Sequence, residues 1–170
     1  MLSASDYFIA MQQHLAQLPG IASVQLFADK ETDAVFSAIP LPAIFIQCDQ
    51  LEEAGLSPRG NGHELERASV DLLLVIDKGQ QAAFNFASYV KRRLTKARFG
   101  LGDTCNPPEK LSAQNTTGQF RGFQTWQLHF VQCYELAPID TDTVDVTEIF
   151  VGINPQTDSD FTRLGTLENT

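Results

Sequence analysis

The chain has little cysteine and little positive charge, and it has no long hydrophobic run. Its three cysteines, Cys48, Cys105 and Cys133, are odd in number and widely spaced, which argues against a disulfide scaffold. No Cys-x-x-Cys pair occurs, so no zinc spacing is signalled. Cys48 and Cys133 lie in strand-like runs and read as small buried hydrophobes. Only 12 Lys and Arg stand against 21 Asp and Glu, for a net charge of −9. Phosphate contacts need clustered cations, so general nucleic-acid binding is not expected. No stretch of about 18 apolar residues is present, and no basic segment followed by an apolar run opens the chain. Neither a membrane span nor a signal peptide is therefore expected. Catalytic patterns are missing too. His14, His63 and His129 are far apart and unaccompanied, with no His-x-x-His or Glu-x-x-His spacing. Gly60–Gly62 and Gly100–Gly102 are two-glycine turns without the third glycine or the Lys-Ser/Thr of a phosphate loop. Glu52 and Glu53 are adjacent, so they point to different faces. These absences predict a protein that is not an enzyme and uses no cofactor and no metal.

The apolar content is sufficient for a core: 170 residues at 43% hydrophobic can bury one α/β domain. Ser5 or Asp6 can cap a first helix. Phe8, Met11, Leu15 and Leu18 follow at spacings of three and four, one stripe of that helix. Pro19-Gly20 stops it. His14 lies off the stripe and reads as a solvated polar residue. Ile21–Phe27 alternates as a strand, and the charged Asp29–Asp33 reads as a turn. Ala43–Asp49 is apolar on both faces and reads as a central strand. An acidic stretch and a Pro/Gly-bearing connection, 56–62, lead to Glu64–Asp77. There Ala68, Val70, Leu72, Leu74 and Ile76 share one face, the clearest strand pattern in the chain.

Gln80–Ala97 reads as a second helix with Ala83, Phe86, Ala87, Val90, Leu94 and Ala97 on its apolar stripe. Phe123–Leu136 is the last long strand, with Trp126, Leu128, Phe130 and Tyr134 on one face. The two long strands are expected to be neighbours, because both need the helices as cover. Residues 103–122 are rich in Pro, Asn, Thr and Gly and read as a long loop. The expected fold class is α/β (α+β): a mixed, mainly antiparallel sheet with two main helices packed on it and an extended C-terminal tail.

Composition changes after Pro138. Residues 138–170 hold seven acids and a single base, Arg163, which accounts for −6 of the −9. Only 144–153 is apolar enough there to pair as a strand. The expected organisation is a domain over 1–137 and an acidic extension over 138–170. The opposite charge gathers elsewhere. Lys91, Arg92, Arg93, Lys96 and Arg98 place five of the 12 bases within eight residues at the end of the second helix. One reading is bland: cations complement the helix dipole there on a solvated face. The other is a basic face that meets an acidic partner, such as a neighbouring subunit's acidic tail. DNA contact is a third reading, disfavoured by the acidic chain. On the second reading these five residues and Val146, Ile149 and Val151 of the apolar stretch form the candidate subunit interface.

Five segments follow in the order helix, strand, strand, helix, strand: LAQLPGIASV (15–24), LPAIFIQCDQLEEA (41–54), ELERASVDLLLVID (64–77), AAFNFASYVKRRL (82–94) and TWQLHFVQCYEL (125–136). Together they resemble the tail terminator, or tail completion, proteins of long-tailed phages, including the Mu-like prophage branch. VTEIFVGINPQTDSDFTRL (146–164) is similar to the ends of some Mu-like members. The resemblance implies a mixed sheet with packed helices and a ring, commonly a hexamer, at the head-proximal end of the tail tube. The ring would end tube polymerisation and join the tail to the head. Its implied partners are further copies of itself, the tail tube protein and the head connector protein, with no membrane and with DNA only as passing cargo. The implied place is the virion tail, after assembly in the host cytoplasm. No residue-level site carries over. A head–tail connector or neck protein is the alternative of the same type, and a small ligand-binding enzyme of unknown chemistry is the alternative of a different class.

Overall fold

The computed structural model describes residues 3–26, 33–77, 79–136, 148–152 and 161–166. Helix α1 (Ala4–Ala16) starts two or three residues earlier than Ser5 or Asp6 would place it, because Ser3 is the cap. The Asp6 amide donates to Ser3 Oγ at 3.1 Å, and the Ser3 amide donates back to Asp6 Oδ2 at 2.8 Å. This reciprocal box satisfies two N–H groups that a helix start leaves open. Tyr7, Phe8, Met11 and Leu15 form its buried stripe.

Strands β1 (Ser23–Leu26), β2 (Ala43–Leu56), β3 (Glu64–Ile76), β4 (Glu109–Asn115) and β5 (Gln124–Leu136) make one sheet in the order β1-β2-β3-β5-β4. β1 runs parallel to β2 and every other pair is antiparallel. The two long strands are neighbours, in register from Glu64↔Leu136 to Ile76↔Gln124. The fold is therefore α+β, with a mixed and mainly antiparallel sheet, as the alternation of the two long segments requires.

Each face of the sheet has its own core. On one face, Ile44 and Ile46 of β2, Val70, Leu72 and Leu74 of β3, and Leu128, Phe130 and Tyr134 of β5 pack with α1 and α3 (Gln80–Leu94). α3 contributes Ala83, Ala87, Val90 and Leu94. On the other face, Phe45, Leu73 and Val75 pack with Phe36 of a short helix, α2 (Asp33–Ala38), while Phe120 and Phe123 close over them. α2 is six residues long and has no counterpart in the sequence reading.

Two expectations change. Residues 103–122 are not a structureless loop: a 3-10 turn (Gly102–Thr104) leads into edge strand β4. The pattern EKLSAQN hides it, because only Leu111 and Ala113 reach the core. β2 also runs on through the acidic stretch to Leu56, with irregularities at Asp49 and at Ala54-Gly55. These residues are exposed because β1 pairs only with residues 43–46, which leaves the outer half of β2 as a sheet edge held by β3 alone.

Contacts divide the chain into Met1–Pro138 and Ile139–Thr170. Within the second unit, β6 (Glu148–Gly152) pairs antiparallel with β7 (Phe161–Thr166). Ile149 and Val151 lie on β6, and Val146 lies outside the described residues. The expectation of an extended tail falls largely outside them as well.

Candidate functional site

The basic cluster lies where α3 ends. Leu94 and Ala97 stay in the core, so Arg92, Arg93 and Lys96 are turned outward and exposed, while Lys91 and Arg98 are half-buried. The chain then turns sharply. Phe99 takes a left-handed φ of 50° and Gly100 one of 79°. A left-handed non-glycine residue costs about 1–2 kcal/mol, which burial of the Phe99 ring offsets: it is edge-on to Tyr7 and to His14. The turn shapes an open hollow of about 610 Å³ lined by His14, Arg92, Arg93, Thr95, Lys96, Arg98 and Phe99. A second hollow, between Asn85, Ser88 and Tyr89, shares Arg92 and Arg93.

Among the described residues, Lys91, Arg92, Arg93 and Lys96 have no carboxylate partner. Arg98 does: its Nη1 donates to Asp103 Oδ1 at 2.8 Å and to the Gly102 carbonyl at 3.2 Å. Arg98 therefore holds the turn, and the free cations of the expected set are the other four. His14 is not the solvated residue that its place off the helix stripe suggests. Burial, and then the charge of Arg93, hold its imidazole below the ordinary histidine range. It is consequently neutral at pH 7 and adds no charge to the hollow.

A second polar cluster secures the β2–β3 connection. Glu135, at the end of β5, is only 5% exposed. It accepts from Ser57 Oγ, from Asn61 Nδ2 at 3.2 Å and from Arg59 Nε at 3.3 Å, and His63 Nδ1 lies 3.7 Å away. Arg59 also reaches Asp103 at 3.6 Å, which links this loop to the turn that Arg98 holds. The Ser57 and His63 side chains both address Glu135, and the two residues meet only through the Ser57 amide and the His63 carbonyl at 2.8 Å, so the cluster lacks the nucleophile–base contact of a hydrolase. The Ser57 hydrogen bond first, then Asn61 and the Arg59 charge, keep the Glu135 carboxyl below the usual glutamate range. Its stabilising contribution is therefore present above the ordinary glutamate pKa and lost as pH falls through the lower folded value. Glu135→Gln should lower the melting temperature at pH 7. Melting curves across pH should show the gap between variant and wild type closing in acid; a gap that is constant with pH would contradict this.

A third cluster joins three strands on the sheet face that carries α2. Asp71 of β3 and His129 of β5 are cross-strand partners, with His129 Nδ1 2.9 Å from Asp71 Oδ1. Asp49, at the β2 irregularity, completes it. Its hydrogen bond to Asp71, followed by burial and the Asp71 charge, raises Asp49 to about 6. The expectation that His129 is unaccompanied is thus overturned: pairing across strands brings together residues 58 positions apart, which spacing along the chain does not reveal.

Cysteine supplies no site. All three are free; Cys105 is fully buried, and burial pushes its thiol up to about 12. Cys48 and Cys133 are half-buried, less enclosed than their strand positions suggest. No helix among the described residues is long and apolar enough to cross a membrane. No protein-family model matches this chain, and no curated protein matches it.

Proposed function

We propose that this chain is a structural subunit of a phage tail, a terminator that forms a ring on the tail tube, ends its polymerisation and joins it to the head. The single observation that carries the assembly part of this reading is the segregation of charge. Arg92, Arg93 and Lys96 stand around open hollows, and with Lys91 they have no carboxylate partner among the described residues, while residues 138–170 hold −6 of the chain's −9. Unneutralised like charges gathered on one side of a folded body repel one another, and an acidic segment from a neighbour relieves that repulsion. A ring needs this kind of heterologous contact, in which one patch meets a different patch on the next subunit. Support for the tail reading comes from the five sequence segments that resemble tail terminators and from an α+β sheet of the class that resemblance implies. A DNA channel through such a ring suits a net-acidic subunit, since like charge lets the duplex pass without being held. The basic hollow then faces a protein neighbour and not the channel.

The full-length double variant Arg92→Glu, Arg93→Glu tests the contact. Each exposed pair contributes at most about 1 kcal/mol, but reversal replaces attraction with repulsion at every interface of a ring. Assembly should weaken at least about tenfold per interface, or roughly 1.4 kcal/mol, as read by sedimentation velocity against wild type at low salt. Unchanged assembly of the variant would remove the hollow from the interface. Retention of DNA by the wild-type protein in a low-salt shift assay, lost in the same variant, would reassign the hollow to phosphate.

A further inference from the structure

We infer that Asp49, Asp71 and His129 form a three-residue binding site for a first-row divalent cation, of which Zn²⁺ is the probe. The three side chains each offer one donor atom, and these atoms all lie within 4.8 Å of one another. Donors bound to one ion at about 2.1 Å sit roughly 3.0–3.4 Å apart, according to whether the geometry is octahedral or tetrahedral. The His129 Nδ1 to Asp71 Oδ1 separation of 2.9 Å is a hydrogen bond just short of such an edge, and an ion would take the place of the proton between them. The Asp49 carboxylate is exposed, so it is free to turn toward the other two donors. The donors stand on three adjacent strands in the middle of the sheet, so backbone pairing holds two of them in register and the β2 irregularity turns the third toward them. A rigid sheet is the kind of support that keeps ligands converged before an ion arrives.

The donor set also narrows the ion. Two carboxylates and an imidazole offer two oxygens and one nitrogen. Mg²⁺ and Ca²⁺ prefer all-oxygen shells, whereas an imidazole suits the zinc-like first-row ions. Asp71 is 8% exposed, and it lies against a second carboxylate with a single half-exposed imidazole to offset both. A cation placed between them removes a repulsion that the fold otherwise carries. Beside His129 opens a hollow of about 250 Å³, lined also by Gln50, Glu52, Arg67, Ser69, Lys110 and Val131. The hollow touches the site through His129 alone, and Arg67 and Lys110 on its wall do not favour entry of a cation from that side, so the open approach is past the exposed Asp49. This site is separate from the basic hollow at the end of α3 and does not depend on the assembly reading.

The test is isothermal titration of the tag-free, metal-stripped full-length chain with Zn²⁺ and, separately, Mg²⁺ at neutral pH, on wild type and three variants. Wild type should bind one Zn²⁺ saturably, and Mg²⁺ far more weakly. Asp49→Asn and His129→Gln should each weaken Zn²⁺ binding at least about 100-fold, more than the loss of a group that merely orients a ligand. His63→Gln, at the Glu135 cluster, should bind as wild type does. Asp49 is exposed, so its variant keeps the fold and serves as the decisive arm, with melting curves as the check. No saturable Zn²⁺ binding to wild type, equal binding by the Asp49 and His129 variants, or Mg²⁺ bound as tightly as Zn²⁺ would each overturn the assignment.

Discussion

Replacing Gln132 with alanine should cost about 4 kcal/mol of stability, more than any single change at the surface. Gln132 is a fully buried polar residue in the middle of β5, on the face that packs against α1 and α3. It joins three elements. Its Oε1 accepts from the Tyr7 hydroxyl of α1 at 2.8 Å, and its Nε2 donates to the Ala97 carbonyl at 3.0 Å and to the Asn106 carbonyl. Truncation leaves the Tyr7 hydroxyl and the Ala97 carbonyl without this partner in the core, at about 1–3 kcal/mol each before relaxation, while the Asn106 carbonyl keeps only a weak bond from the Cys105 thiol at 3.6 Å. Tyr7 is fully buried against Tyr134, with the rings stacked at 4.0 Å, so no rotation brings its hydroxyl to water. Tyr7→Phe removes a single bond and should cost about 1 kcal/mol by the same accounting. Urea denaturation of both variants checks this. The alanine variant's melting temperature should fall by roughly 12 °C, and a loss under about 1 kcal/mol would show that water replaces the side chain's bonds.

Phe36→Ala should cost about 3 kcal/mol and act on the opposite face of the sheet. Phe36 is fully buried, with ring centroids 4.7 Å from Phe120, 5.2 Å from Phe45 and 5.5 Å from Phe123. Removing the ring forfeits its burial and leaves a void that the rigid strand side of the cluster does not fill. The loss sits at the low end for a buried phenylalanine, because Phe120 and Phe123 are only partly buried and can move inward. Limited proteolysis locates the effect: cleavage within 116–123 should speed up while the far-ultraviolet circular dichroism of the sheet persists. Equal cleavage of variant and wild type would mean that the aromatic cluster does not hold that loop.

The legible parts of the fold are those where one face of an element is buried and the other is not. Ala68 and Val70 alternate with Arg67, Ser69 and Asp71 in the outer half of β3 before Leu73 and Val75 bury its second face, and Leu128 and Phe130 alternate with Gln127 and His129, so both long strands and their mutual cover follow from period. Where both faces are wet, the period vanishes. The outer half of β2 is held by pairing to β3 with no apolar stripe to advertise it, and β4 shows only Leu111 and Ala113, too short a stripe to read as a strand. α2 is hidden for a different reason: six residues make too few turns for a helical period, and its anchors are the adjacent Phe36 and Val35. Gln132 shows a further limit. It shares the face of Leu128, Phe130 and Tyr134, and a glutamine in phase with a core stripe is itself the signal of a buried hydrogen-bond hub.

For the sites, what was legible was what is contiguous in the chain. The cations at 91–98 form a cluster because helix spacing keeps them together, and the structure changes only the role of Arg98, which its bond to Asp103 ties to the turn. The Asp49–Asp71–His129 group spans three strands, and the Glu135 group draws on a loop 78 positions earlier for Ser57. Register creates both, and register is fixed only once the whole sheet is assembled.

The assembly claim rests on chains meeting one another through complementary patches, and the mass of the full-length chain in low salt tests it most directly. Sedimentation equilibrium should report a closed ring, six chains in the form the resemblance implies, that loosens as salt screens the contact between the basic hollow and the acidic segment. A monomer at every concentration in low salt, or a ring whose stability is indifferent to salt, would contradict the account.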